Sequence, residues 1–119
     1  MHEFALARAA RDTIVKHKKD RVKIYIGEIQ QIDVELFKRL LVEETSDLNV
    51  LLEFYEMPAK MRCNVCFSEW LYRDLELTED QKESIHFLPE SIHIFVKCPK
   101  CSSNDFSIVE GRGIYIGTD

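Results

Sequence analysis

The chain has 119 residues, of which 45% are hydrophobic, and a formal net charge of −5 at pH 7, which fits one small soluble domain or two small lobes. The acidic balance argues against a primary nucleic-acid binder, because such proteins neutralise phosphates with a clustered Lys/Arg surface. The longest apolar runs fall far short of the roughly 20 residues that cross a bilayer, and no secretory signal pattern is found. We therefore expect a cytoplasmic protein whose four cysteines stay reduced.

The first half of the chain alternates between helical and strand patterns. Apolar side chains recur every three to four positions in residues 4–17, which predicts a helix with one buried stripe. Residues 22–26 alternate apolar and polar side chains, as a half-buried strand does, and Gly27 marks its end. Asp33 is placed to cap a second helix. The run VLLEFYEMP at residues 50–58 predicts a second strand that is stopped by proline.

Shorter elements and cysteines replace the periodic helices after Pro58. Thr78 and Gln81 match a capping box that opens a short helix. The alternating apolar residues of the run SIHIFV predict a strand over residues 92–96, which leads to the second cysteine pair.

The end of the chain is expected to return to the first sheet. Residues 114–116 predict a strand, and three strands make a far more stable sheet than two. The predicted fold class is α/β. Residues 1–58 and 110–119 are predicted to form a small three-stranded sheet with two helices, and residues 59–109 a four-cysteine lobe that resembles a zinc ribbon.

Two CxxC motifs, MRCNVC and VKCPKC, are separated by residues 67–97. Each two-residue gap lets both thiolates of a pair face one ion, and two such turns supply the four soft ligands of a tetrahedral Zn(II) site. The alternatives are a redox-active pair and two disulfides, but a redox CxxC normally opens a helix and no helical pattern follows either pair. The predicted zinc ligands are Cys63, Cys66, Cys98 and Cys101.

Four bound thiolates leave no open position for a substrate, so this zinc is expected to hold the lobe together and to do no chemistry. Phe67 and Trp70, beside the first cysteine pair, are expected to form the small core of the lobe, with a base-stacking platform as the alternative.

The sequence opens with Met-His-Glu, directly ahead of the first predicted helix. A terminal amine, the backbone nitrogen of His2 and the His2 imidazole can form adjacent chelate rings around one metal ion. Such a flat, nitrogen-rich set of donors suits Ni(II) or Cu(II). Glu3 can complete or orient the set. The alternative is that the segment has no function, because polar residues at a chain terminus ordinarily mean nothing.

Four features occur together in this chain: the opening MHEFALA, the strand RVKIYIGEI, the paired CxxC motifs with proline in CPKC, and the segment SSNDFSIVEGRGIYI. In this order they resemble the HypA/HybF family of hydrogenase-maturation nickel chaperones, from Met1 to near Ile116. The resemblance implies that Met1, His2 and Glu3 bind nickel and that the four cysteines bind zinc. It also implies an α/β nickel lobe beside a zinc lobe.

The same resemblance implies partners. Ni(II) would be handed to the large subunit of a [NiFe]-hydrogenase with the help of a nickel-binding GTPase, and some members of the family also serve urease. The second predicted helix and a free edge of the sheet are the two candidate docking surfaces for the GTPase. A free sheet edge permits a domain-swapped dimer as well as a monomer.

The segment between the cysteine pairs is longer than in the shortest family members and brings two histidines. His86, expected in a loop after the short helix, is predicted to be a further nickel ligand, with an ordinary loop histidine as the alternative. His93 is expected on a strand, facing solvent or a partner. His17 is expected to be a cation at the end of the first helix.

Two other functions compete with nickel delivery. A zinc-ribbon adaptor that binds nucleic acid or a protein complex would need a basic face, but acidic residues of the insertion outweigh Lys60, Arg62, Lys97 and Lys100. An enzyme would need a nucleophile elbow, a phosphate loop or an open zinc site, none of which the sequence contains. We therefore predict a binding and transfer protein without turnover, and no nucleic-acid or membrane partner.

Overall fold

The computed structural model of the chain describes residues 2–117. Contacts divide these residues into two compact units, with residues 2–26, 32–55 and 114–117 in the first and residues 27–31 and 56–113 in the second. In chain order the helices and strands are α1 (His2–His17), β1 (Arg21–Gly27), α2 (Val34–Glu44), β2 (Leu51–Met57), β3 (Lys60–Cys63), β4 (Glu69–Leu71), α3 (Glu79–Phe87), α4 (Ile92–Phe95), β5 (Phe106–Glu110) and β6 (Ile114–Gly117). No helix within the described residues has the length and apolar character needed to span a membrane.

The first unit contains a three-stranded sheet in the order β2-β1-β6. β6 runs antiparallel to β1 and pairs Ile116 with Ile24 and Tyr115 with Tyr25. This pairing confirms the prediction that the last strand returns to the first sheet. α1 and α2 pack against each other, and their buried side chains join those of β1 in one core. The buried core residues are Ala7, Ala10, Ile14, Val22, Ile24, Ile26, Ile32, Phe37 and Leu41.

The two helices of the first unit begin differently. α2 begins as predicted: Asp33 is its N-cap, and the Asp33 Oδ1 accepts a hydrogen bond from the Leu36 amide at 3.2 Å. α1 begins at His2 and therefore earlier than residue 4, where the apolar pattern starts. An acidic residue in the first turn interacts favourably with the positive end of the helix dipole, and Glu3 occupies that turn. His2 and Glu3 thus belong to the helix, whereas the sequence pattern placed them ahead of it.

The second unit contains a three-stranded sheet in the order β4-β3-β5, with both outer strands antiparallel to β3. Trp70 packs against the buried core of this unit, and its ring lies edge-on to Phe106 with 5.3 Å between centroids. Phe67 is 64% exposed, so the predicted core role is right for Trp70 and wrong for Phe67. The buried core residues are Ile29, Ala59, Met61, Ile85, Ile92, Val96 and Phe106.

The insertion between the cysteine pairs is more helical than predicted. Thr78 and Gln81 form the expected capping box at the start of α3, which continues to Phe87. His86 therefore lies in the last turn of a helix, and its predicted loop position is wrong. Ile85, directly before His86, is 1% exposed and packs in the core of the second unit.

The strand predicted over residues 92–96 is also wrong, because α4 occupies Ile92–Phe95 after a 3₁₀ turn at Pro89–Ser91. Ile92 and Val96 are both buried and lie four residues apart, which places them on one face of a helical turn. Ile94 would share that face in a strand, but it is 77% exposed.

A close backbone approach in the second unit depends on glycine. Gly111 has φ +80°, and a Cβ atom on it would lie 2.4 Å from the Pro58 carbonyl oxygen and 2.5 Å from the Ala59 Cα. The Ile29 amide donates to the Gly111 carbonyl at 3.0 Å and fixes this approach from the other side. Only a residue without a side chain fits here.

Candidate metal centres

Four cysteine sulfurs meet at one point of the second unit. Their Sγ atoms all lie within 4.8 Å of one another, with 3.5 Å between Cys63 and Cys101 and 3.6 Å between Cys66 and Cys98. A tetrahedral site with Zn–S bonds of about 2.3 Å has S–S edges of roughly 3.8 Å. The geometry and the thiol donors therefore fit a four-coordinate soft metal ion. The predicted fold class is confirmed: the chain has a small α/β unit with a three-stranded sheet and a four-cysteine zinc-binding lobe.

Each CxxC motif forms a turn, here called a knuckle: residues 63–68 form the first knuckle and residues 98–103 the second. In the first, the amides of Val65 and Cys66 donate to the Cys63 Sγ at 3.3 and 3.4 Å. In the second, the amides of Lys100 and Cys101 donate to the Cys98 Sγ, both at 3.4 Å. Amide donors of this kind favour the thiolate form of the sulfur that accepts them.

The two knuckles also make equivalent backbone hydrogen bonds. The Phe67 amide donates to the Cys63 carbonyl at 3.1 Å, and the Ser102 amide donates to the Cys98 carbonyl at 2.9 Å. Phe67 and Ser102 both have a left-handed backbone, with φ +64° and +65°. The two knuckles are therefore copies of one backbone turn that requires a left-handed residue after the second cysteine. This requirement explains why the Phe67 side chain leaves the core.

The four thiols influence one another's ionisation. The Ser68 hydroxyl lies 3.1 Å from the Cys66 Sγ and, with the Ser68 amide, lowers the pKa of Cys66 to about 6. The Ser103 amide lowers the pKa of Cys101, but the neighbouring thiols, Cys63 foremost, and burial raise it to about 12. Four adjacent thiolates therefore need a cation to balance their charge. The sequence interpretation missed Ser68, whose only signal is its position two residues after Cys66.

The N-terminal segment lies in the first unit. Met1 is outside the described residues, His2 is exposed, and Glu3 is half-buried in the first turn of α1. The Glu3 Oε2 accepts a hydrogen bond from the Asp33 amide at 2.9 Å. This bond and the Glu3 amide lower the pKa of Glu3 to about 2. The carboxylate is therefore charged at neutral pH and held beside the start of α2.

The other histidines have separate surroundings. The His86 ring packs edge-on to Phe87 at 5.7 Å in the last turn of α3. The His93 Nδ1 lies 3.1 Å from the Asn104 carbonyl oxygen, and its ring lies 4.3 Å from that of Phe106. His93 thus braces the segment after the second knuckle, a role that the strand prediction did not anticipate. His17 is the last residue of α1, as predicted. Among the described residues, only the four cysteines form a group of three or more metal-ligating side chains.

Comparison with known proteins decides the family. A family model described as "Hydrogenase/urease nickel incorporation, metallochaperone, hypA" matches residues 1–118. The chain belongs to the HypA family. HypA proteins are nickel metallochaperones of hydrogenase maturation, and this membership agrees with the resemblance found in the sequence.

Several archaeal HypA proteins are similar to the chain over nearly its whole length. "Hydrogenase maturation factor HypA" of Pyrococcus horikoshii is 37% identical, with 98% of this chain and 92% of the relative covered. The HypA of Thermococcus onnurineus is 36% identical over the same shares. The HypA of Ignicoccus hospitalis is 31% identical, with 98% of this chain and 93% of the relative covered.

A solved HypA structure shares the fold. The solution structure of the Ni metallochaperone HypA from Helicobacter pylori has a TM-score of 0.58 and 18% sequence identity, and the match covers 97% of this chain and 92% of that one. At this identity the likeness concerns the fold.

Proposed function

We propose that this HypA-family chain binds Ni(II) through Met1, His2 and Glu3 and delivers it for the maturation of a [NiFe]-hydrogenase. The observation that carries the proposal is the exposed His2 in the first turn of α1, beside the fixed carboxylate of Glu3, in a chain whose cysteine cluster is complete with four sulfurs. Nickel therefore needs donors outside that cluster. Nitrogen donors of a terminal segment suit the planar geometry that Ni(II) prefers.

Delivery requires release, and an exposed site supports it. Ligands at the surface can be exchanged one at a time by a recipient protein. His2 must be neutral to bind metal, so nickel affinity is expected to fall as pH is lowered. Only bonds between Ni(II) and its ligands form and break during the transfer. The proposed protein is therefore a carrier without turnover.

The four cysteines are proposed to hold a structural Zn(II). Cys63 ends β3, and the second knuckle leads into β5, which begins opposite Cys63 at Phe106, so one ion would join the end of β3 to the start of β5. A closed tetrahedral thiolate site leaves no position for a substrate. Its contribution would be to the folding of the second unit.

The deciding experiment is a nickel titration of zinc-loaded, tag-free protein that begins at Met1. Calorimetry and visible absorption are the two readouts. The comparison protein carries a two-residue N-terminal extension, which moves the amine and leaves every side chain in place. We expect Ni(II) binding with the d–d band of a planar site only in the unextended protein. Equal binding by both proteins, or by neither, would exclude the N-terminal site.

A substitution tests the contribution of the His2 imidazole to nickel binding separately from that of the terminal amine. His2→Ala is expected to abolish stoichiometric nickel binding while zinc content and fold stay unchanged. The matched control is His17→Ala, which removes an exposed histidine from the other end of the same helix.

His86 stays a proposed further nickel ligand. Its support is chemical, because imidazole is the commonest metal-binding side chain and His86 lies in the last turn of its helix. His86→Ala is expected to lower nickel affinity and to change the d–d band. Titration curves and spectra that match those of the unsubstituted protein would remove His86 from the ligand set.

The proposed partners are a nickel-binding GTPase and the large subunit of the hydrogenase. Membership in a hydrogenase-maturation family supports both. The proposal predicts that nickel leaves the loaded chain faster when the GTPase is added. An unchanged transfer rate to a chromogenic chelator, with and without the GTPase, would contradict it.

A further inference from the structure

An exposed aromatic side chain stands on the first knuckle. Phe67 is 64% exposed and has φ +64°, a conformation that bulky residues rarely adopt. Ser102 occupies the equivalent position of the second knuckle with nearly the same φ and the same backbone hydrogen bond. The turn therefore does not require an aromatic residue. Neither local backbone preference nor core packing accounts for phenylalanine at this position.

A cation lies beside this ring, and a second exposed apolar side chain belongs to the same knuckle. Val65, in the same knuckle, is 58% exposed, and the Arg62 guanidinium carbon lies 5.5 Å from the centre of the Phe67 ring. The amides of Val65 and Lys100 each lie one hydrogen bond from the sulfur cluster, so the two knuckles present these positions close together. We name Arg62, Val65, Phe67, Lys97 and Lys100 the knuckle face.

The charge of the knuckle face is opposite to that of the whole chain. Residues 62–67 and 97–102 contain three cations and no acid, whereas the chain has a net charge of −5. The nearest acids along the chain are already engaged: Glu69 lies 3.8 Å from the Lys60 Nζ, and Asp105 accepts a hydrogen bond from the Asn64 side chain at 2.9 Å. The cations of the knuckle face are therefore available to an anionic partner.

We infer that the knuckle face is a docking site for an acidic segment of a partner protein that carries an apolar or aromatic side chain. The apolar residue would pack on Phe67 and Val65, and acidic residues on either side would pair with Arg62, Lys97 and Lys100. A central aromatic anchor with a charged rim is the usual arrangement of a binding hot spot. The inference does not depend on nickel binding at the N-terminus.

The test is an amide NMR titration of the zinc-loaded full chain with the peptide Ac-DEFDEL-NH2. We expect shift changes at the knuckle face that weaken with added salt. Phe67→Ser, which copies the second knuckle, is expected to weaken binding by about tenfold. Lys97→Gln with Lys100→Gln should weaken it at low salt. Lys82→Gln is the matched control, because Lys82 is an exposed lysine of α3 that pairs with Glu79 at 3.6 Å.

Three results would overturn the inference. One is peptide binding that Phe67→Ser leaves unchanged while zinc content is retained. Another is shift changes that map outside the knuckle face. The third is binding of a short oligothymidylate at these residues without binding of the peptide, which would identify a nucleic-acid surface. If Phe67→Ser fails to retain zinc, Val65→Ser tests the same apolar contact from a position with an ordinary backbone.

Discussion

The carboxylate of Glu3 accepts a hydrogen bond from the backbone amide of Asp33, with 2.9 Å between the Glu3 Oε2 and the Asp33 nitrogen. Asp33 is itself the N-cap of α2 and accepts a hydrogen bond from the Leu36 amide. The Glu3 side chain therefore holds the backbone of Asp33, and the Asp33 side chain in turn caps the second helix. One acidic residue of the proposed nickel segment thus also joins the beginnings of α1 and α2.

We predict that charge and tethering at Glu3 can be separated. Glu3→Gln keeps an acceptor oxygen for the Asp33 amide but removes the negative charge. We expect this variant to bind nickel more weakly while hydrogen exchange of the Asp33 amide stays slow. Glu3→Ala removes the acceptor, so exchange at Asp33 should become several-fold faster. Unchanged exchange in Glu3→Ala would show that the hydrogen bond does not hold α2 in place.

Zinc removal is predicted to unfold the second unit selectively. A structural zinc site contributes on the order of 10 kcal/mol to the folding of a small domain. We therefore expect Cys63→Ser, or treatment with a strong chelator, to abolish the amide signals of β3 and β5 while those of β1 and α2 persist. Zinc release can be followed with a chromogenic indicator.

Ser68→Ala is the matched control for this experiment. It removes the hydroxyl 3.1 Å from the Cys66 Sγ and leaves all four ligands in place. We expect this variant to retain zinc but to lose it at a higher pH than the unsubstituted protein does during acidification. Loss of both units together after chelation would contradict the predicted selectivity.

Most of the fold follows from local patterns, and the exceptions have physical causes. The helix over α2 and the strand β1 are read correctly because their apolar spacing has one interpretation. The apolar spacing of the run Ile92–Val96 has two interpretations, because residues four apart share a face in a helix while residues two apart share a face in a strand. Burial of Ile92 and Val96 and exposure of Ile94 select the helix, and only tertiary contacts supply that information.

The cysteine site was predictable from spacing alone, since a CxxC turn is a local structure. The exposure of Phe67 was not, because the left-handed residue after the second cysteine is a property of the knuckle turn and phenylalanine gives no sign of it. The Glu3–Asp33 hydrogen bond joins residues 30 positions apart, and no periodicity reports such a contact.

Alanine substitutions at two glycines distinguish the cost of a steric clash from the cost of backbone strain. Gly111→Ala places a methyl group 2.4 Å from the Pro58 carbonyl oxygen at φ +80°, and we expect it to lower the free energy of unfolding by about 3 kcal/mol. Gly113→Ala has a similar φ of +86° but no atom within 4 Å, so it should cost only about 1 kcal/mol. Denaturant unfolding of both zinc-loaded variants measures the difference. Equal losses would refute the proposed close approach.

The ion pair between Arg11 and Asp47 is predicted to make stability depend on pH. The Arg11 guanidinium donates to both Asp47 oxygens, at 2.6 and 3.1 Å, and lowers the pKa of Asp47 below its ordinary value of 3.8. A lowered folded-state pKa means that the stabilisation is complete above the ordinary value and is lost as pH falls through the folded-state value.

Asp47→Asn should therefore lower the melting temperature at pH 7, and the difference from the unsubstituted protein should vanish in acid. Glu43→Gln, at an exposed position of α2, is the control and should show no such convergence. A difference that stays constant from neutral to acidic pH would assign the effect of Asp47→Asn to something other than the ion pair.

The position of Cys63 at the end of β3 links metal binding to strand pairing. Cys63 lies opposite Phe106 of β5, and side chains along a strand alternate between its two faces. A slip of one residue would turn Cys63 to the opposite face and away from the other three sulfurs. Only chains that pair β3 with β5 in the native register would bring all four thiols together to bind a metal ion. Metal binding would thus stabilise the native register selectively, and chains in another register could still unfold and pair again.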